Sequence, residues 1–274
     1  MAGRGVCARR STQSARLAGI GSLDSGRWWW SVRCQLSGGR GFLFNDLQKA
    51  EQVNATEGVG DDGTPVVLVH GIWMTGLEMR LLGRRLGECG FVPHYFHYPS
   101  LRVSPRFNAR ALASFISLLG TARVHLVAHS LGGVVALHLF DQFPQLSPGR
   151  VVLMGSPVRG SGVARVLAGS RMLHPLLGVS LDEGLDGRLP PWRGERELGT
   201  IAGTRGIGVG TLIGGLSGDN DGTVAVAETR LDGAVDTLEL PVSHMEMLFS
   251  REVADAVCRF LQTGRFRAGA VAQP

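Results

Sequence analysis

The 274-residue sequence predicts a doubly wound α/β domain, a mostly parallel sheet with helices on both faces. Three observations carry that reading. TPVVLVHG (64–71), VHLVAH (124–129) and RVVLMG (150–155) are unbroken apolar runs rich in β-branched residues. Such runs read as strands buried on both faces, hence as a parallel sheet covered by helices. Segments with helical apolar spacing stand between and after them. A chain of this length can also bury about 70% of its extended surface, so a single core needs no staple.

Each element follows from its own pattern. The strand at 64–71 ends at Gly71, and residues 76–89 then place Leu77, Leu81, Leu82 and Leu86 on one helical face, with Gly90 as the C-cap. VPHYFHY (92–98) is strand-like. Residues 106–119 form a helix with Leu112, Phe115, Ile116 and Leu119 together. After the strand at 124–129 comes LGGVVALHLFDQF (131–143), an apolar helix. Beyond the strand at 150–155, residues 156–196 read as irregular, a candidate cap. LGTIAG (198–203) and DTLEL (236–240) complete the sheet, and 245–262 closes the domain as a helix. QVNATEGVGDDG (52–63) is a polar, Gly-rich linker. The expected organisation is therefore a flexible basic leader and linker over 1–63, one domain over 64–263 and a flexible tail over 264–274.

Charge and cysteine usage exclude some classes. The net charge of +5 is concentrated in residues 1–40, which hold seven Arg and one acid; the remainder holds 21 basic and 22 acidic residues. A nucleic-acid-binding body needs a basic face, and this body lacks the excess, so no nucleic-acid partner is expected. No apolar run approaches the roughly 20 residues of a membrane-spanning helix. Cys7, Cys34, Cys89 and Cys258 make no CxxC pair, so reduced thiols and a cytoplasmic location are expected. The Arg- and Ser-rich leader has transit-peptide character but no secretory apolar core.

The chemistry concentrates at Ala128-His129-Ser130-Leu131-Gly132, between a buried strand and an apolar helix. This is the context of a G-x-S-x-G elbow, with Ala128 in place of the first Gly. The tight turn strains the serine backbone, and bulky neighbours two positions away would collide. A serine hydroxyl becomes a nucleophile only with a base to take its proton and donors to hold the oxyanion. His70-Gly71-Ile72-Trp73 follows the first strand and resembles the oxyanion loop of bacterial lipases, which implies that the Ile72 N–H would pair with that of Leu131, at the positive end of a helix. Among later histidines, His244 lies between the last strand and the last helix, unlike His138 in a helix or His174 in the insert. Gly218-Asp219-Asn220-Asp221-Gly222 follows the strand 198–203, and the resemblance of Asn220-Asp221-Gly222-Thr223-Val224 to the acid loop of bacterial lipases selects Asp221 over Asp219 as the partner of His244. The acids there break the spacing of a calcium hand, and His94 and His97 face opposite sides of a strand, so no metal is expected. Gly206-Ile207-Gly208-Val209-Gly210 lacks the following helix of a dinucleotide fingerprint, so no cofactor is expected either.

These motifs, in the order Ser130, Asp221, His244, resemble the serine hydrolases of the α/β-hydrolase fold, and most closely the bacterial triacylglycerol lipase and esterase group. The resemblance covers about residues 64–263. It implies cleavage of a small-molecule ester or lipid through an acyl-serine intermediate. A further run, Gly155-Ser156-Pro157-Val158-Arg159-Gly160-Ser161, is similar to a lipase G-T-P-H-x-G-S segment, with Val158 where the histidine would be. Acyl transfer and thioester cleavage use the same three groups and stay open as alternatives, as does a catalytically silent binding protein of this fold. Nothing in the sequence specifies the oligomeric state.

Overall fold

In a computed structural model, the structure describes residues 63–146 and 149–267. The leader and most of the linker and tail lie outside the described residues. The strands run in chain order as β1 Thr64–Val69, β2 Phe91–Phe96, β3 His125–His129, β4 Val151–Met154, β5 Leu198–Gly203 and β6 Asp236–Leu240. All adjacent pairs are parallel, and the spatial order is β2-β1-β3-β4-β5-β6. The helices are α1 Arg80–Glu88, α2 Pro105–Leu118, α3 Leu131–Gln142, α4 Gly162–Gly169, the short α5 Val209–Ile213 and α6 Val226–Thr229, and α7 Arg251–Thr263.

Alternation along β1 explains the two layers. Val67 and Val69 point into a core shared with α2, α3 and α4, while Val66 and Leu68 point into a second core shared with α1 and α7. Both faces are therefore dry, as unbroken apolar strands require. On α7, Val253, Ala254, Val257, Phe260 and Leu261 are buried at helical spacing, and each large side chain among them contributes about 1.5–3 kcal/mol through burial. Strand order reverses between β1 and β3, so the loops leaving these neighbours diverge and open a crevice at their carboxyl ends.

Several boundaries differ from the sequence reading. The closing helix begins at Arg251 rather than 245, because the Ser250 hydroxyl caps it by accepting from the Val253 N–H at 3.3 Å. Residues 246–248 form a separate 3-10 turn. The insert read as irregular contains α4, whose Ser161 hydroxyl accepts from Ala164 N–H at 3.1 Å, followed by a 3-10 segment at His174–Ser180. Phe266, beyond the expected end of the domain, is buried and stacks on Phe260 with ring centroids 4.6 Å apart.

The reduced-thiol expectation is corrected by a Cys89–Cys258 disulfide that joins the end of α1 to α7, with Cα atoms 6.2 Å apart. The sequence separation of 169 residues hid the pairing; only the packing of α1 beside α7 on one sheet face brings the thiols together. With it goes the argument that free thiols offered for a cytosolic-type compartment. Closing so long a loop restrains the unfolded chain, so Cys258→Ser is expected to cost about 2–4 kcal/mol. Urea unfolding of the two proteins without reductant checks this, and a shared midpoint would refute it. No helix among the described residues is long and apolar enough to cross a membrane.

Candidate active site

Ser130 sits at the junction of β3 and α3 with φ 54° and ψ −123°, one of two described non-glycine residues with positive φ. This strained conformation is held by the Ser130 N–H, which donates to the Met154 carbonyl at 2.9 Å, and by the Ser130 carbonyl, which accepts from Gly133 N–H at 3.0 Å. Gly132 is required on steric grounds. A Cβ there would lie 2.5 Å from the Val69 carbonyl oxygen and 2.7 Å from that of His70. Ala128 is fully buried, and its methyl group is accommodated within the α2–α3 core.

The loops after β5 and β6 bring Asp221 and His244 together. The Nδ1 of His244 lies 2.7 Å from Oδ2 of Asp221. The other carboxylate oxygen, Oδ1, accepts from the N–H groups of Thr223 at 2.9 Å and Val224 at 2.7 Å. The Asp221 carbonyl accepts from the His244 N–H at 2.8 Å, so the two residues are bound through both main chain and side chain. Both are buried. A carboxylate can only accept, so Nδ1 of His244 carries a proton toward Asp221. Gly155, with φ 54°, forms the floor beneath the pair. A Cβ there would come within 3.0 Å of both Asp221 Oδ2 and His244 Nδ1. Asp219, the rejected alternative, is exposed.

The His70–Trp73 turn packs directly on the elbow. A Cβ built on Gly71 would lie 3.0 Å from the Ser130 Cβ. His70 is engaged at both ring nitrogens: Nδ1 lies 2.8 Å from the Gly71 carbonyl, and Nε2 lies 3.4 Å from the Tyr98 N–H. The Tyr98 ring stacks on it at 4.3 Å, and the Tyr98 hydroxyl donates to the His70 carbonyl at 2.7 Å. Burial pushes the His70 imidazole below its usual range, so it sits as a neutral brace for this turn. Trp73, the other non-glycine residue with positive φ, donates its indole N–H to the Leu176 carbonyl at 2.7 Å and so ties the turn to the insert.

Ile72, Ser130 and His244 share one cavity of about 220 Å³. Its walls are mainly apolar and include Val163, Ala164 and Leu167 of α4, Leu177, Leu185 and Val224. Of the apolar residues in the insert, Val163, Leu167 and Leu177 line it, whereas Met172, at 85%, Val166 and Leu176 are exposed. Leu131 is buried as the first residue of α3. His129, unassigned by sequence reasoning, also lines the cavity. Its place inside the elbow motif was the available signal.

A doubly wound sheet with a strained serine at its switch point and an Asp–His pair at the same edge defines a hydrolase-type scaffold. The model of the alpha/beta hydrolase family matches residues 66–262, and the chain belongs to this family. Among solved structures, the mature lipase BlEst2 of Bacillus licheniformis superposes with a TM-score of 0.58 at 19% identity, covering 77% of this chain and 96% of that one. The monoacylglycerol lipase of Paleococcus ferrophilus gives 0.53 at 18%, covering 74% and 96%. The chain is also 40% identical over 57 residues to the putative carbamate hydrolase RutD of Pantoea ananatis (strain LMG 20103), a match spanning 21% of each chain.

Proposed function

We propose that the protein hydrolyses carboxylic esters with an apolar acyl group through an acyl-Ser130 intermediate. The observation that carries this reading is the 2.7 Å contact between Asp221 Oδ2 and His244 Nδ1 in a cavity shared with Ser130. His244 Nε2 takes the Ser130 proton as Oγ bonds to the acyl carbon, and the carbonyl π electrons move onto oxygen. The N–H groups of Ile72 and Leu131 receive that oxyanion. Collapse expels the alkoxide, which takes the proton from His244. Water then repeats the sequence on the acyl-enzyme, with His244 accepting its proton and returning it to Ser130. Asp221 keeps the Nδ1–H tautomer and stabilises the transient imidazolium.

The substrate side follows from the walls. Val163, Ala164, Leu167, Leu177 and Leu185 offer an alkyl chain a dry surface, and each buried methylene contributes about 0.8 kcal/mol, close to fourfold in kcat/KM. A series of p-nitrophenyl esters is therefore expected to rise by roughly that factor per carbon until the cavity is full. Leu177→Asp places a carboxylate in the wall and is expected to flatten the series while sparing acetate turnover. A series already flat in the wild-type protein would remove the apolar acyl group from the proposal.

A further inference from the structure

We propose that His129 is a positioning residue whose ring clamps the main chain of His244 against the Gly71 turn and so sets the geometry between base and oxyanion loop. The inference rests on the ester-hydrolase reading above. Three observations support it. The His129 Nε2 lies 3.0 Å from the His244 carbonyl oxygen. Its ring centroid is 4.6 Å from that of His244, with the planes tilted by 45°. Its Nδ1 would be 3.4 Å from a Cβ on Gly71, so the opposite edge of the ring abuts the turn that carries Ile72. His129 is fully buried and adjoins Ser130 in the chain.

The chemistry of these contacts settles the tautomer. A carbonyl only accepts, so Nε2 bears the proton and donates to His244. The bare Nδ1 has no hydrogen-bond partner among the described residues. Burial holds His129 well below the usual imidazole range; the charges of His244 and His70 push the same way, and the bond to the His244 carbonyl opposes them. A neutral ring is what the position requires, because His244 becomes a cation during acylation and a second cation beside it would oppose that step. One edge thus places the base through its backbone, and the other limits how far Gly71 can move. Asp221 orients the His244 side chain through Nδ1. The base is held at both its main chain and its ring.

The test compares two amides that differ by one methylene. The side chain of His129→Gln can put an N–H where Nε2 stands, whereas that of His129→Asn falls short of the His244 carbonyl. Rates are expressed per site titrated by a fluorophosphonate probe, so partly folded material does not enter. The Gln variant is expected to keep kcat within about fivefold of wild type and the Asn variant to lose about 10²-fold, with KM changed by less than about threefold in both. His129→Leu, which retains packing without a donor, replaces the Asn variant if the latter does not fold, with the same loss expected. Equal kcat in the Gln and donor-less variants, a loss confined to KM, or a Gln variant that does not fold would each overturn the positioning role. Failure of the wild-type protein to react with the probe would instead remove the ester-hydrolase reading.

Discussion

Ser130→Ala is expected to reduce ester turnover by about 10⁶-fold, to the level left by binding and oxyanion donors alone. In the proposed mechanism this side chain carries the whole nucleophilic step, so no neighbouring group replaces it. The cost to folding is expected to be small. The strained φ of 54° belongs to the backbone and is held by Met154 and Gly133, contacts that the alanine retains. Steady-state turnover and thermal unfolding, measured on the same preparations, separate the two effects. Wild-type turnover in the alanine variant would mean that another group attacks the substrate.

Asp221→Asn is expected to lower kcat by about 10⁴-fold. In the native arrangement both carboxylate oxygens are occupied, one by Thr223 and Val224 N–H, the other by His244 Nδ1. An asparagine can keep its oxygen on the two backbone donors only by presenting its NH₂ to Nδ1. That selects the wrong tautomer of His244 and moves its proton to Nε2, where the base must be free. Asp219→Asn, on an exposed position of the same loop, is expected to stay within about twofold, since surface substitutions away from such features change little. Comparable losses in both variants would show that the loop as a whole, rather than the Asp221 carboxylate, supports the base.

What could be read from the sequence was whatever is local in the chain. The apolar β-branched runs announced β1, β3 and β4, because a strand buried on both faces has no polar side to interrupt it. The Ser130 turn was legible for the same reason: a strand, a small-residue turn and an apolar helix are contiguous. Asp221 and His244 stand as candidates through their loops after β5 and β6 and, for Asp221, through the likeness of that loop to a lipase acid loop; the structure brings the two to 2.7 Å. The features that escaped detection depend on packing between distant segments. Cys89 and Cys258 meet only because α1 and α7 share a sheet face. α7 starts at Arg251 rather than 245 because residues 246–248 form a separate 3-10 turn and the Ser250 cap that decides the boundary is a single hydroxyl. His129 looked like the variable position of a motif. Its partner, the carbonyl of His244, lies 115 residues away, and backbone acceptors leave no mark on a sequence.

The cavity beside Ser130 shows the same division. Val163, Leu167 and Leu177 line it, whereas Met172, from the same apolar stretch, faces solvent. Composition marks the segment as apolar, and the helix α4 together with the 3-10 segment His174–Ser180 decides which side chains are buried. The bond from the Trp73 indole to the Leu176 carbonyl fastens that segment to the turn beside Ser130. The wall of the cavity and the proposed oxyanion loop are therefore one connected piece.

The most direct test of the central claim is peptide mapping of the protein after reaction with a fluorophosphonate, a phosphorus electrophile that bonds covalently to an activated serine oxygen. One phosphonyl group per chain, located on Ser130, is expected, with no modification of the Ser130→Ala protein. A phosphonyl group on any other serine, or an unmodified wild-type protein, would contradict that claim.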